Sequence, residues 1–370
     1  MKVLFQSRTT IFSVPGGDTT QMVKTAEALR KAGCVVDIST ELEPDLSGYD
    51  LVHLFNLIRP QEVYLQALNA RKRGKPVVLS TIYVDFSEYD RKGRTGIGRV
   101  VANLFSTSQL EYGKVLARAV KNREVNKGTG VLLLHGYREL QRNVNRMADV
   151  FLPNSESEMR RVIKDFPECD QRRYVVVPNA VDIELFDEDH VAPLPEFQRY
   201  DGCVLCVARF EGRKCQLNLV RAMRDLPWQL VLAGQPSPNH MQYYEQVRSE
   251  AGANTHLLGQ FPHEKLPALY KAARVHCLVS WMETTGLSSL EAGVMGCNLV
   301  ITDKGDTRDY FGDYAFYCEP DSVESIRQAI MRAYKAPPKP ELARLIRREF
   351  NWDATAARTI EGYELALRHH

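Results

Sequence analysis

Short apolar runs recur along the chain, separated by stretches whose apolar positions follow a helical period. Val3-Leu4-Phe5, Val35-Val36-Asp37-Ile38, Leu51-Val52-His53-Leu54-Phe55 and Val77-Val78-Leu79-Ser80 read as buried strands. After the first of them, Asp18 is placed to cap a helix that carries Met22, Val23, Ala26 and Leu29 on one face and ends at Gly33. A second helical stretch runs through Leu65 and Leu68. Strands of this kind alternating with amphipathic helices predict a parallel sheet covered on both faces.

The rhythm breaks from Asp90 to about Arg146, which reads as mostly helical. It resumes at Val150-Phe151-Leu152-Pro153 and Val175-Val176-Val177-Pro178. Val181 to Tyr200 holds Pro193, Pro195 and many acids, and reads as a linker. A second series follows, with strands expected at 204–207, 230–233, 256–258, 275–279 and 299–302, and a helix around Leu266, Leu269 and Ala272. The tail from Glu341 is helical in pattern. No short-period repeat is visible.

The 370 residues suit two domains. The expected architecture is α/β: two Rossmann-like, doubly wound domains facing each other across a cleft at the carboxyl ends of both sheets. Residues 1–180 form the first domain, 181–200 the linker and 201–345 the second domain. Residues 346–370 are a helical segment expected to pack back on the first domain.

Composition narrows the classes. The chain is 44% hydrophobic and 25% charged, as for a soluble protein with a real core, and its net charge of +2 gives no general case for nucleic-acid binding. Locally, 91–127 holds nine Lys or Arg against Glu111 and Glu124. This basic, partly apolar stretch could attract anionic lipid or a polyprenyl diphosphate; a solvated helical face is the alternative. Cys203 and Cys206 form a CxxC inside an apolar run, with no second pair at zinc spacing, so the eight cysteines read as small buried hydrophobes. Free thiols, no signal peptide and no apolar run of membrane-span length predict a cytoplasmic protein, able to sit peripherally on the inner face of a membrane. His369-His370 resemble the start of a purification tag and are set aside.

Ser280-Trp281-Met282-Glu283-Thr284-Thr285-Gly286-Leu287-Ser288-Ser289-Leu290-Glu291-Ala292-Gly293 carries the most chemistry. A strand precedes it and Gly286 opens a helix, so N–H groups of Gly286, Leu287 and Ser288 point out of a terminus that favours an anion. Glu283 precedes that terminus. Glu291 follows it among small apolar residues, where a carboxylate needs a partner such as a vicinal diol. Arg209 and Lys214 follow the first strand of the second series, with the donor geometry that phosphate oxygens take. Two carboxylates and two cations beside an anion site suit a nucleotide sugar. Gly16-Gly17 would let backbone approach the diphosphate, although any tight turn could use such a pair.

Together these residues resemble the GT-B glycosyltransferases, family 4, the retaining enzymes that use nucleotide sugars. The resemblance covers nearly the whole chain. It rests on Arg209-x4-Lys214, Leu232-Ala233-Gly234, Leu258-Gly259-x-Phe261, Leu266-x2-Leu269-Tyr270-x-Ala272, Glu283-x7-Glu291 and Gly305-Asp306-Thr307-Arg308-Asp309-Tyr310-Phe311-Gly312-Asp313. Pro178-Asn179-Ala180-Val181-Asp182 is similar to the family's interdomain motif, with Ala180 where Gly is usual, and Pro15-Gly16-Gly17 to its N-terminal glycine loop. The resemblance implies that Arg209 and Lys214 hold the donor diphosphate and that Glu283 contacts the transferred sugar. Thr285, Gly286 and Leu287 would lend backbone donors, Glu291 would bind the ribose, and the base would sit near Gln260-Phe261.

It further implies a hexosyltransferase that needs no cofactor and no metal, taking a UDP- or GDP-sugar to a glycan or lipid-linked glycan acceptor. Surface polysaccharide or lipopolysaccharide assembly is the implied setting and an α-linkage the implied product. Many members place a His after the strand equivalent to 77–80. Here Thr81-Ile82-Tyr83-Val84-Asp85 stands there, so Tyr83 or Asp85 takes that contact or the donor preference differs, and His135 is a further candidate. The alternatives are a GT-B nucleotide-sugar epimerase, which needs no acceptor, and a non-catalytic sugar-nucleotide or glycan-binding partner of another transferase. A pyridoxal-phosphate phosphorylase would need a much longer chain. A dinucleotide dehydrogenase lacks its GxGxxG after the first strand.

Overall fold

The computed structural model describes residues 1–94, 104, 109–110, 112–113, 115 and 126–370. The chain divides into two compact units. Unit one comprises residues 1–85, the described part of 100–179 and Trp352–His370; unit two comprises Phe86 onward to the described Arg94 and Ala180–Asn351.

Unit one is built on a six-stranded parallel sheet of β1 (Lys2–Gln6), β2 (Val35–Ser39), β3 (Leu51–Phe55), β4 (Val77–Ser80), β5 (Val150–Phe151) and β6 (Arg173–Tyr174). The order is β2-β1-β3-β4-β5-β6. Both β3 and β4 are buried along their whole length, as strands that are apolar except for His53 and Ser80. The first helix spans Gly17–Lys31 with Gly16 as its cap. Asp18, expected there, lies within the first turn and pairs with Arg8 at 2.9 Å. The strand expected at Val175–Val177 is displaced to β6. Val175 and Val177 still donate N–H bonds to Phe151 and Pro153, at 3.0 and 2.8 Å, but Pro153 has no N–H to complete a ladder there.

The helical tail is broken in two. Pro340–Glu349 belongs to unit two, whereas Trp352–Arg368 packs against the first helix of unit one. Tyr363 on this last helix is fully buried; its hydroxyl lies 2.7 Å from His53 Nδ1, and Ser80 Oγ lies 2.8 Å from His53 Nε2. Burial pushes the His53 pKa down to about 3, so the ring is neutral.

Unit two repeats the plan with β7 (Cys203–Val207), β8 (Leu230–Ala233), β9 (Thr255–Gly259), β10 (Ala273–Leu278), β11 (Asn298–Ile301) and β12 (Phe316–Tyr317). All pairings are parallel, in the order β12-β11-β10-β7-β8-β9. The expected linker is part of this unit: Phe186, Phe197 and Tyr200 sit in its core, beside a bridge from Val181 to Asn351. Their size explains why 181–200 is ordered despite its prolines and acids. Phe86–Arg94, assigned by sequence to the first domain, also packs here. Cys203 and Cys206 are buried free thiols in β7. Among the described residues no helix is long and apolar enough to cross a membrane. Most of the basic stretch 91–127 lies outside the described residues.

Tyr363→Phe keeps the ring but strands one His53 nitrogen. It is expected to lower unfolding stability by about 1–3 kcal/mol in urea titrations.

Candidate functional site

In unit two the strand order places β7 beside β10, so the loops leaving their carboxyl ends are neighbours. The β7 loop carries Arg209 and a tight turn, Gly212–Lys214. The β10 loop carries Trp281 and Glu283. A backbone bond joins them: Trp281 N–H donates to Arg213 O at 2.9 Å. Their side chains meet as well, because the Lys214 ammonium donates to Glu283 Oε1. Both are nearly closed off, with side chains 12% and 11% exposed.

Burial works against both charges. It would raise the Glu283 pKa, but the Lys214 ammonium and the Arg213 guanidinium outweigh it and hold the carboxyl below its ordinary range. Burial lowers the Lys214 pKa while Glu283 opposes the fall. The pair is therefore ionised at neutral pH and short of water, a state in which a new anion would be strongly felt by the ammonium.

Backbone contacts from the loop after β11 fix Glu283. Glu283 N–H donates to Lys304 O at 3.2 Å, and Asp306 N–H donates to Glu283 O at 3.0 Å. Between them Gly305 has φ 95°, and a Cβ there would lie 2.1 Å from Glu283 O. Only glycine allows this approach. The Gly305-Asp306 pair noted in the sequence is thus a clamp on the Glu283 backbone.

Arg209 joins the turn through Glu211. Glu211 Oε1 lies 3.2 Å from Arg209 and accepts from Ser237 Oγ at 2.7 Å, while Oε2 accepts from Arg213 at 2.7 Å. About half of the Arg209 side chain stays exposed. Burial would raise the Glu211 pKa, but Arg213 and Arg209 dominate and bring it from 4.5 to about 2.

Glu291 lies on the helix Leu287–Val294, which starts just past Gly286, its cap at φ 75°. The first N–H groups of the helix are those of Leu287 and Ser288, and Gly286 stands outside it. Glu291 has partners the sequence did not reveal. Its Oε2 accepts from Tyr270 Oη at 2.9 Å and its Oε1 lies 3.1 Å from His263 Nε2. Tyr270 stood in the quoted Leu-x2-Leu-Tyr motif, so that signal was present; His263, two residues past Phe261, carried none. Gln260 is exposed after β9, and Phe261 packs edge-on against Phe197 at 5.3 Å between ring centres. Thr285 is buried in the β10 loop.

The remaining candidates lie on unit one. Gly16 and Gly17 start its first helix, and the space around a Cβ at Gly17 is open. Tyr83 is buried; its hydroxyl donates to Asp165 at 2.6 Å and its N–H to Glu158 at 2.7 Å. Asp85 is exposed. His135 is exposed at the end of the helix Lys127–His135, with Nδ1 3.1 Å from Val131 O.

Because the folded pKa of Glu211 lies below 4.5, its contribution to stability is complete above about pH 4.5 and disappears as pH falls toward 2. At about 1.4 kcal/mol per unit the loss is on the order of 3 kcal/mol. Urea unfolding from pH 5 to 2 should therefore show a shallower decline for Glu211→Gln than for the wild type.

Residues 196–352 match the family described as glycosyl transferases group 1. O-antigen chain mannosyltransferase B of Escherichia coli is 28% identical over 187 residues, 46% of this chain and 49% of that protein. The match thus spans about half the length of this relative. D-inositol 3-phosphate glycosyltransferase of Corynebacterium urealyticum is 26% identical over 330 residues, 78% of this chain and 75% of that protein. Sucrose-phosphate synthase from Thermosynechococcus elongatus superposes over 100% of both chains with a TM-score of 0.73 at 16% identity. Anabaena HepE in complex with UDP-glucose superposes over 100% of this chain and 98% of its own, with a TM-score of 0.61 at 14% identity. Two six-stranded parallel Rossmann-like units and these neighbours give the chain the GT-B fold, and residues 196–352 are similar to the glycosyl transferases group 1 family.

Proposed function

We propose that this chain is a retaining glycosyltransferase of the family 4 type that moves a hexose from a UDP- or GDP-sugar to a glycan or lipid-linked glycan. The observation that carries the reading is the buried Lys214–Glu283 pair at the junction of two strand-end loops. In this reading the donor diphosphate lies against Lys214 and the exposed half of Arg209. Its charge grows as the C1–O bond to phosphate breaks, and both cations then interact more strongly with the transition state than with the bound donor. They supply the charge stabilisation without a metal. Glu283, released in part from Lys214, accepts hydrogen bonds from hydroxyls of the hexose. Glu291, oriented by Tyr270 and His263, accepts from the ribose, and the N–H groups of Leu287 and Ser288 face the anion. The acceptor oxygen bonds to C1 on the face the phosphate leaves, and its proton passes to the departing phosphate oxygen, so configuration is retained.

The neighbours give the donor class its support: HepE is described with UDP and with UDP-glucose, and the E. coli relative is a mannosyltransferase. Assembly of a surface polysaccharide or lipopolysaccharide at the cytoplasmic membrane face is the setting this proposal favours.

A thermal-shift and hydrolysis screen over UDP-, GDP-, ADP- and dTDP-sugars is expected to single out one UDP- or GDP-hexose. With that donor, Glu283→Gln is expected to lower turnover by at least about 100-fold, with circular dichroism unchanged. Turnover near wild type would remove Glu283 from the mechanism. Tyr270→Phe frees one side of Glu291 and is expected to raise donor KM about 5- to 10-fold while leaving kcat nearly unchanged.

A further inference from the structure

The Gly212–Lys214 turn has a support that lies far from it in sequence. Phe86–Arg94 runs along unit two as a strap, with one π-type turn over Tyr89–Gly93. It touches both loops of the site. Phe86 lies under the Arg213 guanidinium at 5.9 Å. Glu88 pairs with Lys304 at 3.1 Å, the residue whose carbonyl holds Glu283 N–H. Tyr89 packs on Trp281 with ring centres 6.4 Å apart, and Trp281 N–H is bonded to Arg213 O. The Tyr89 hydroxyl also lies 2.8 Å from the point where a Cβ on Gly212 would stand, whereas Cζ is 3.8 Å away. Behind the turn is a cavity of about 570 Å³ bordered by Tyr89, Gly212, Cys215, His240, Tyr243 and Trp281. The turn thus has space into which it can move, and the Tyr89 ring stands at the edge of that space.

We infer that Tyr89 is a positioning residue for Lys214: its ring, wedged between Trp281 and Gly212, sets the turn that aims the ammonium at Glu283. The inference rests on the reading of Lys214 and Glu283 as donor-binding groups. Gly212 is required for the same reason. Its φ is not in the left-handed region, so alanine suits its backbone. What an added methyl meets is the Tyr89 oxygen, closer than real Cβ contacts allow, and the turn or the ring must give way.

The test is a double-mutant cycle with the donor found in the screen. Gly212→Ala is expected to raise donor KM and lower kcat/KM about tenfold, with Tm changed little. Tyr89→Phe removes only the oxygen and should behave as wild type. The double variant, in which the added methyl meets Cζ at ordinary contact distance, should recover most of the loss. Tyr89→Leu removes the wedge without touching the turn and should raise donor KM severalfold. An impaired double variant, an unimpaired Gly212→Ala, or an unchanged donor KM in Tyr89→Leu overturns the inference. Wild-type protein inert toward every donor would overturn the functional reading as well, whereas active wild type with no rescue overturns this inference alone.

Discussion

An ammonium and a carboxylate held together out of water constrain everything around them. Lys214 and Glu283 each lose hydration, and an ion pair in that position persists only when its geometry is supported from several sides. The support comes from four loops. Adjacent parallel strands bring the β7 and β10 loops side by side. The β11 loop grips the Glu283 backbone through Gly305, and Phe86–Arg94 presses on the β7 turn. The arrangement is local to unit two. Glu283 pairs directly with Lys214, and Glu211 adds a second negative charge nearby.

Charge is layered in the same way around the pair. Arg213 contributes to holding Glu283 ionised and at the same time shares Glu211 with Arg209. One carboxylate thus spaces two guanidinium groups and leaves half of Arg209 open to solvent. Glu291 is treated differently: its two oxygens meet a buried phenol and an exposed imidazole rather than a fixed cation. Such an acceptor keeps its orientation while remaining able to take hydrogen bonds from a diol. Unit one shows the same economy of polar contacts in its core, where Glu158 receives the N–H groups of Tyr83 and Asn154 and so ties together the ends of β4 and β5.

Much of this was legible in the chain. Largely apolar runs such as Leu51–Phe55 and Val275–Leu278 announced buried parallel strands, and the sequence brought forward Lys214 and Glu283, two side chains that the structure pairs. What stayed hidden depended on contacts distant in sequence. Nothing near residue 89 signals that its ring rests on Trp281 and Gly212. The aromatic anchors of 181–200 were masked by prolines and acids, so core looked like linker. Nor does the sequence show that Asp165, 82 residues away, takes the Tyr83 hydroxyl. The cap at Gly16 was misplaced onto Asp18 because Arg8, its true partner, precedes the helix.

The most direct test of the account is a crystal structure with UDP or GDP bound. The account predicts the β-phosphate against Lys214 Nζ and the Arg209 guanidinium, ribose hydroxyls on Glu291, and Glu283 turned partly away from Lys214. A nucleotide seated away from these four side chains, with the Lys214–Glu283 pair undisturbed, would contradict it.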